Sequence, residues 1–272
     1  MPDFLNNIPE PVLRVLMFLA IFGTMAVFEL VAPRLARPEM SGALRSRRWL
    51  TNIALVVIST VILRVVFPAA AVGAAAWAAA FGVGAFNTFV VPAWVAGIVA
   101  FLVLDFAVWL EHVASHKIPI LWAIHRIHHS DSGFDVSTAL RFHPLEIVLS
   151  MVWKAGVVVV LGAPVWAVLV FEIVLNGAAM FNHANARLPR SVDRALRLLI
   201  VTPDMHRTHH SVARAEMDSN YGFNLSWWDR IFSTYQHGPA AGESGVVIGL
   251  EEFRAKPPRS LATLLVLPFR RK

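Results

Sequence analysis

The 272-residue chain has no cysteine. That absence excludes disulfides, thiolate nucleophiles, iron–sulfur ligation and thiolate zinc sites. Charge is scarce as well, at 15% of residues against roughly a quarter in soluble domains. Residues 1–111 contain no histidine at all. There is no HExxH zinc-protease motif, and the single HP dipeptide continues as Leu145-Glu146 rather than as a haem-binding HPGG. No tandem repeat, linker or low-complexity tract interrupts the chain. The opening residues MPDFLNNIPEPVLRVL lack a basic n-region and a cleavage site, so no removable signal peptide is expected.

What fills the space is apolar: 57% of the residues are hydrophobic. Residues 12–32 supply the ~20 apolar positions needed to span a bilayer. A second segment, 49–67, leads into an alanine-rich stretch, 69–82, and a third span covers 92–111. The region 147–181 is broken by Gly162 and Pro164 into halves that are short for upright spans, so it reads as a tilted helical hairpin returning to the side it left. These add up to an all-α, multi-pass integral membrane protein of about four membrane segments, with a histidine-rich helical cap. We expect one domain over 1–272, made of membrane helices in 1–111, a catalytic region in 112–237 and a membrane-associated tail in 238–272. The formal charge is +6, but the basic residues flank apolar segments instead of forming one stripe, which fits a membrane surface and not nucleic acid. Arg34, Arg37, Arg45, Arg47 and Arg48 in the first loop mark it as cytoplasmic. The histidines then face the cytoplasm, and alanine- and arginine-rich usage points to a bacterial inner membrane.

All eleven histidines lie between 112 and 237. His112 and His116 are four apart; His125, His128 and His129 form HxxHH, and His206, His209 and His210 form a second HxxHH. Residues three and four apart share a helical face, so each group is expected to aim its imidazoles at one point. A single zinc takes four ligands. Eight or more clustered histidines therefore suit two ions, each with four or five nitrogens. Zinc cannot deliver electrons to dioxygen, whereas imidazole-bound iron beside a bilayer could direct oxygen chemistry at an unreactive C–H bond.

The ordered series His112-x3-His116, HRIHHSD, RFHPLE, NHAN, TPDMHRTHHS and NYGFNLSWWDRIFSTY resembles the fatty acid hydroxylase/sterol desaturase superfamily over roughly residues 100–237. The resemblance implies a multi-pass membrane enzyme with two histidine-bound iron ions. It further implies dioxygen as co-substrate, electrons from a separate electron-transfer protein, and a lipid-like substrate that is hydroxylated or desaturated. Carried over residue by residue, it implies His112, His116, His125, His128, His129, His183, His206, His209 and His210 as metal ligands and catalytic groups. One position departs from the fatty-acid-hydroxylase branch: Ala179 stands four before the NH histidine where that branch has another histidine, which favours the sterol-desaturase-like branch. His143 of RFHPLE is the candidate to supply the missing nitrogen. Asp105, seven residues before His112, is expected to accept a hydrogen bond from a ligand histidine and fix its tautomer, with Asp131 and Asp204 as further candidates. Two other classes compete: a membrane zinc hydrolase, and a non-enzymatic metal- or haem-binding membrane protein.

Overall fold

The computed structural model describes residues 9–270. The first eight residues of the segment read for a leader, and the last two basic residues of the tail, lie outside the described residues. Among the described residues the chain is helical, with no strand and three isolated bridges. Prolines open most of the long helices, because the missing N–H falls where a helix leaves its own N–H groups unpaired. Helix α1 runs Glu10–Val31, α2 Gly42–Val66, α3 Ala70–Ala80, α4 Ala85–Thr88 and α5 Ala93–Lys117, followed by α6 Pro119–His129. After a 3-10 turn at Val136–Leu140 come α7 Pro144–Leu161 and α8 Val165–His183. The remainder is made of short helices: α9 Arg190–Leu196, α10 Pro203–His209, α11 Arg214–Met217, α12 Trp227–Ile231, α13 Gly242–Gly245 and α14 Leu261–Val266.

Five segments are long and apolar enough to cross a membrane: α1, residues 42–88, α5, α7 and α8. The expected hairpin is present, but its halves, expected to be short for upright spans, are each long enough to cross. Its halves have 18 and 19 residues, about 27–28 Å each at 1.5 Å per residue. Gly162 takes the left-handed conformation (φ 65°) that closes α7, and a Cβ on Gly84 would lie 2.2 Å from its nitrogen. Both positions need glycine.

Alanines decide how closely these helices approach. Ala71, Ala75 and Ala78 form the buried face of α3, and the first two pack with Met151 and Val158 of α7 and Phe171 of α8. Small side chains let membrane helices pack backbone to backbone, where no hydrophobic effect drives association. In α5 the buried positions Ala96, Ala100, Leu104, Val108, His112 and His116 are spaced by four. One helical face therefore runs from the apolar core straight into the histidines. Large apolar side chains such as Leu19, Leu30, Val65 and Val160 point outward and are exposed, as a lipid-facing surface requires.

Candidate metal centre

Nine histidines from four helices converge into two adjacent buried groups. His112, His116, His125, His129 and His209 form one, and His128, His183, His206 and His210 the other; within each group the ligand atoms lie within 4.8 Å of one another. The expectation that each HxxHH aims at a single point is corrected here. In α6 the pair four apart, His125 and His129, serves the first group while His128 serves the second. In the α10 motif the assignment reverses: His206 and His210 serve the second group and His209 the first. A step of four turns about 40° beyond one full turn and a step of three about 60° short of it, at 3.6 residues per turn. The two neighbours of each first histidine therefore straddle its direction and can reach two centres.

Several imidazoles are held in one tautomer by groups that only accept. His112 Nδ1 donates to the carbonyl of Tyr221 at 2.7 Å, His183 Nδ1 to that of Ala179 at 2.6 Å and His209 Nδ1 to that of Ser219 at 2.7 Å. His125 Nδ1 donates to Glu146 Oε1 at 2.6 Å. With the proton on Nδ1, a neutral ring carries its lone pair on Nε2. These Nε2 atoms face one another. His112 and His125 approach to 3.2 Å, and His183 Nε2 lies 3.0 Å from both His128 Nε2 and His206 Nε2.

Further ring nitrogens of His116, His129, His209 and His210 are buried without any hydrogen-bond partner. Unpaired polar atoms on this scale are rare in folded proteins. Burial first, then the neighbouring imidazoles, push His128, His129, His206 and His210 well below the ordinary histidine range. Burial likewise takes His209 down to about 3. Neutral rings with converging lone pairs are the form that binds transition metals. The residues present fit two cations, with five and four nitrogens respectively.

Other residues singled out from the sequence stand elsewhere. His143 joins neither group. It caps α7, accepting from the Leu145 N–H at 3.2 Å while its Nε2 donates to the carbonyl of Leu265 at 3.2 Å. Asp105 accepts from Trp228 Nε1 at 2.8 Å and from the Leu225 N–H at 3.2 Å, not from a histidine. Its carboxylate braces the loop that carries Tyr221, whose carbonyl takes the place expected for it. Asp131 pairs with Arg48 at 2.7 and 2.8 Å. Burial raises its carboxyl, yet Arg48 and Arg141 together hold it well below the usual carboxylate range. Asp204 pairs with Arg34 at 3.1 Å and with Arg207.

The carboxylate that does hold a histidine of the cluster, Glu146, is not marked out by the motifs. Its signal was available: it lies three residues after His143, in the first turn of a helix that starts at Pro144. Asp229 accepts from the Tyr221 and Gly222 N–H groups at 2.9 Å, Trp109 Nε1 at 3.0 Å and Thr234 at 2.7 Å. It thereby fixes the loop that orients His112.

A cavity of about 190 Å³ abuts His112 and His125. Phe18 of α1, Val56 of α2, Val108 of α5 and Leu175 of α8 give it apolar walls, and α7 adds Glu146, Ser150 and Lys154.

Comparison with known proteins adds a family signature. The profile of the fatty acid hydroxylase family matches residues 97–234. Alkylglycerol monooxygenase of Homo sapiens is 34% identical over 152 residues, 56% of this chain and 32% of that protein. Ornithine lipid hydroxylase of Rhizobium tropici is 27% identical over 175 residues, 64% of this chain and 50% of that protein. The chain thus spans about a third to a half of the length of these curated relatives. No solved structure matches it.

Proposed function

The chain belongs to the fatty acid hydroxylase family, and from that premise we propose that it is an oxygen-dependent membrane hydroxylase of a lipid-like substrate. The observation that carries this reading is the pair of converging histidine groups, the first of which abuts a cavity among the membrane helices through His112 and His125. The relatives named above are a monooxygenase and a hydroxylase, which favours hydroxylation over desaturation here. The balanced reaction is R–H + O₂ + 2 e⁻ + 2 H⁺ → R–OH + H₂O.

His112, His116, His125, His129 and His209 would hold one iron ion, and His128, His183, His206 and His210 the other. Iron held by these residues would supply the redox chemistry toward dioxygen that imidazoles alone cannot perform. The protein's own contribution is positional. Tyr221, Ala179 and Ser219 carbonyls and Glu146 keep protons on Nδ1, so that Nε2 stays free to ligate. The cavity places a substrate segment beside His112 and His125, and its apolar walls exclude water that would quench a reactive oxidant. The chain contains no cysteine to build an iron–sulfur centre of its own, so the two electrons come from a separate donor protein. The arginine-rich first loop supports a cytoplasmic orientation in a bacterial inner membrane.

The test combines metal analysis with lipid mass spectrometry. The purified protein should contain about two irons, and host membranes expressing it should gain a lipid heavier by one oxygen only when dioxygen and a reductant are both supplied. One zinc with activity under anaerobic conditions, or bound metal without any turnover, would overturn the reading.

A further inference from the structure

Beyond the ligand set, one ammonium group stands out inside the membrane part. Lys154 lies ten residues into α7, about 15 Å along its axis. Its side chain is 13% exposed, and the nearest carboxylate, Glu172 Oε1, is 3.9 Å from Nζ, beyond hydrogen-bond reach. Glu172 is held more closely by Arg14, at 2.7 Å. Among the described residues Lys154 makes no hydrogen bond. An ammonium carries three donors, and Lys154 spends none of them on a hydrogen bond even though Glu172 balances its charge. Lys154 lines the cavity that ends on His112 and His125.

Glu146, Ser150 and Lys154 are spaced by four, so they share one face of α7, and all three line that cavity. Each of the first two is occupied by the metal centre's own surroundings. Glu146 holds His125, and Ser150 donates to Glu111, the residue before His112, at 3.1 Å. The third has the ion pair with Glu172 at 3.9 Å but no hydrogen bond.

We propose that Lys154 binds an oxygen acceptor on the substrate and so fixes which carbon reaches the metals, an inference that rests on the lipid-hydroxylase reading. Lys154 is eight residues from Glu146, about 12 Å along the helix. The substrate is therefore a lipid with an oxygen function separated by a stretch of chain from the carbon that is oxidised. The neighbourhood sets the charge of that function. Arg14 is paired with Glu10 as well as Glu172, and Glu111 adds a third carboxylate to two cations, so a neutral ester or amide carbonyl or a hydroxyl fits better than an anion. At about 190 Å³ the cavity is smaller than the ~300–1,000 Å³ of sites that enclose a whole small molecule. It takes one segment of the lipid while the rest stays in the bilayer.

The experiment compares two probes with sixteen-carbon chains, 1-monopalmitoylglycerol and hexadecane, binding to the purified iron-loaded protein. In the wild type the glyceride should bind about tenfold tighter or more, the effect of a hydrogen bond to a charged donor. Lys154→Met should shrink that gap to about twofold, and Lys154→Arg should retain part of it. Iron content should be the same in all three, because Lys154 touches no ligand histidine. Equal binding of both probes by the wild type, or an undiminished gap in Lys154→Met, would overturn the proposal. If Lys154→Met does not accumulate, Lys154→Gln is read the same way: a narrowed gap supports the assignment and an unchanged gap overturns it. Iron and lipid hydroxylation without any probe preference would sink the Lys154 assignment alone. A protein without iron that still prefers the glyceride would sink the hydroxylase reading and leave Lys154 as the binding residue.

Discussion

Each histidine of the centre belongs to one of two groups, and in His112, His125, His183 and His209 one ring nitrogen also donates to the protein. His128 and His209 illustrate the division, since they are the i+3 members of their motifs and cross to the group that their i and i+4 neighbours do not serve. His128→Ala and His209→Ala should each lower iron from about two per chain and abolish turnover, while the protein still inserts in the membrane. Iron assay of detergent-purified protein is the check, and full iron content in either variant would contradict the grouping. The protein-facing atom matters through Glu146, which is largely buried and hydrogen-bonded to His125. Glu146→Ala should weaken iron retention by about 10–100-fold, the usual effect of removing such a partner. Glu146→Gln, which keeps an acceptor without the charge, should fall between. Chelator competition measures both, and retention equal to wild type in Glu146→Ala would show that His125 needs no partner.

Charged side chains behind the histidine groups tie the loop after α6 to α2. Arg48 of α2 reaches across to the loop after α6, meeting Asp131 at 2.7 and 2.8 Å and Asp135 at 3.0 Å. All three side chains are at most 5% exposed. Removing the arginine leaves two buried carboxylates, with only Arg141 acting on Asp131 and Arg45 near Asp135 as remaining cations. Arg48→Met should therefore destabilise the protein by about 3–5 kcal/mol, visible as an earlier thermal transition in detergent. A change below about 1 kcal/mol would mean that water or Arg45, 3.9 Å from Asp135, takes over the role. The α7–α8 hairpin does comparable work from the membrane side, since its turn at Gly162 sends the chain back so that His183 meets His128 and His206.

The assembled chain gathers the histidines at one end of its spanning helices, and the loop before α5 lies at the other, with the stretch of α5 from Ala93 to His112 and His116, roughly 29–35 Å, between them. The absence of cysteine makes this orientation easy to test. Arg47→Cys, in the exposed first turns of α2, should react with an impermeant maleimide only after cells are permeabilised. Phe89→Cys, in the exposed loop before α5, should react in intact spheroplasts. The reverse pattern would put the histidines outside the cell and exclude a cytoplasmic electron donor.

Much of this organisation was legible in the residue order because it rests on short-range rules. Length and apolarity mark the spanning segments, Gly162 and Pro164 mark the hairpin, and spacings of three and four mark the ligands, since each follows from the pitch of a helix. The Asp105 and His143 expectations failed for a different reason. A helical face says which way a side chain points but not what meets it. The partner of His112 is a carbonyl 109 residues away, and that of His125 lies 21 residues on. Those meetings, the division of each HxxHH between two histidine groups, and the placing of Lys154 on the cavity depend on contacts between distant helices. They arise only once packing has brought those helices together.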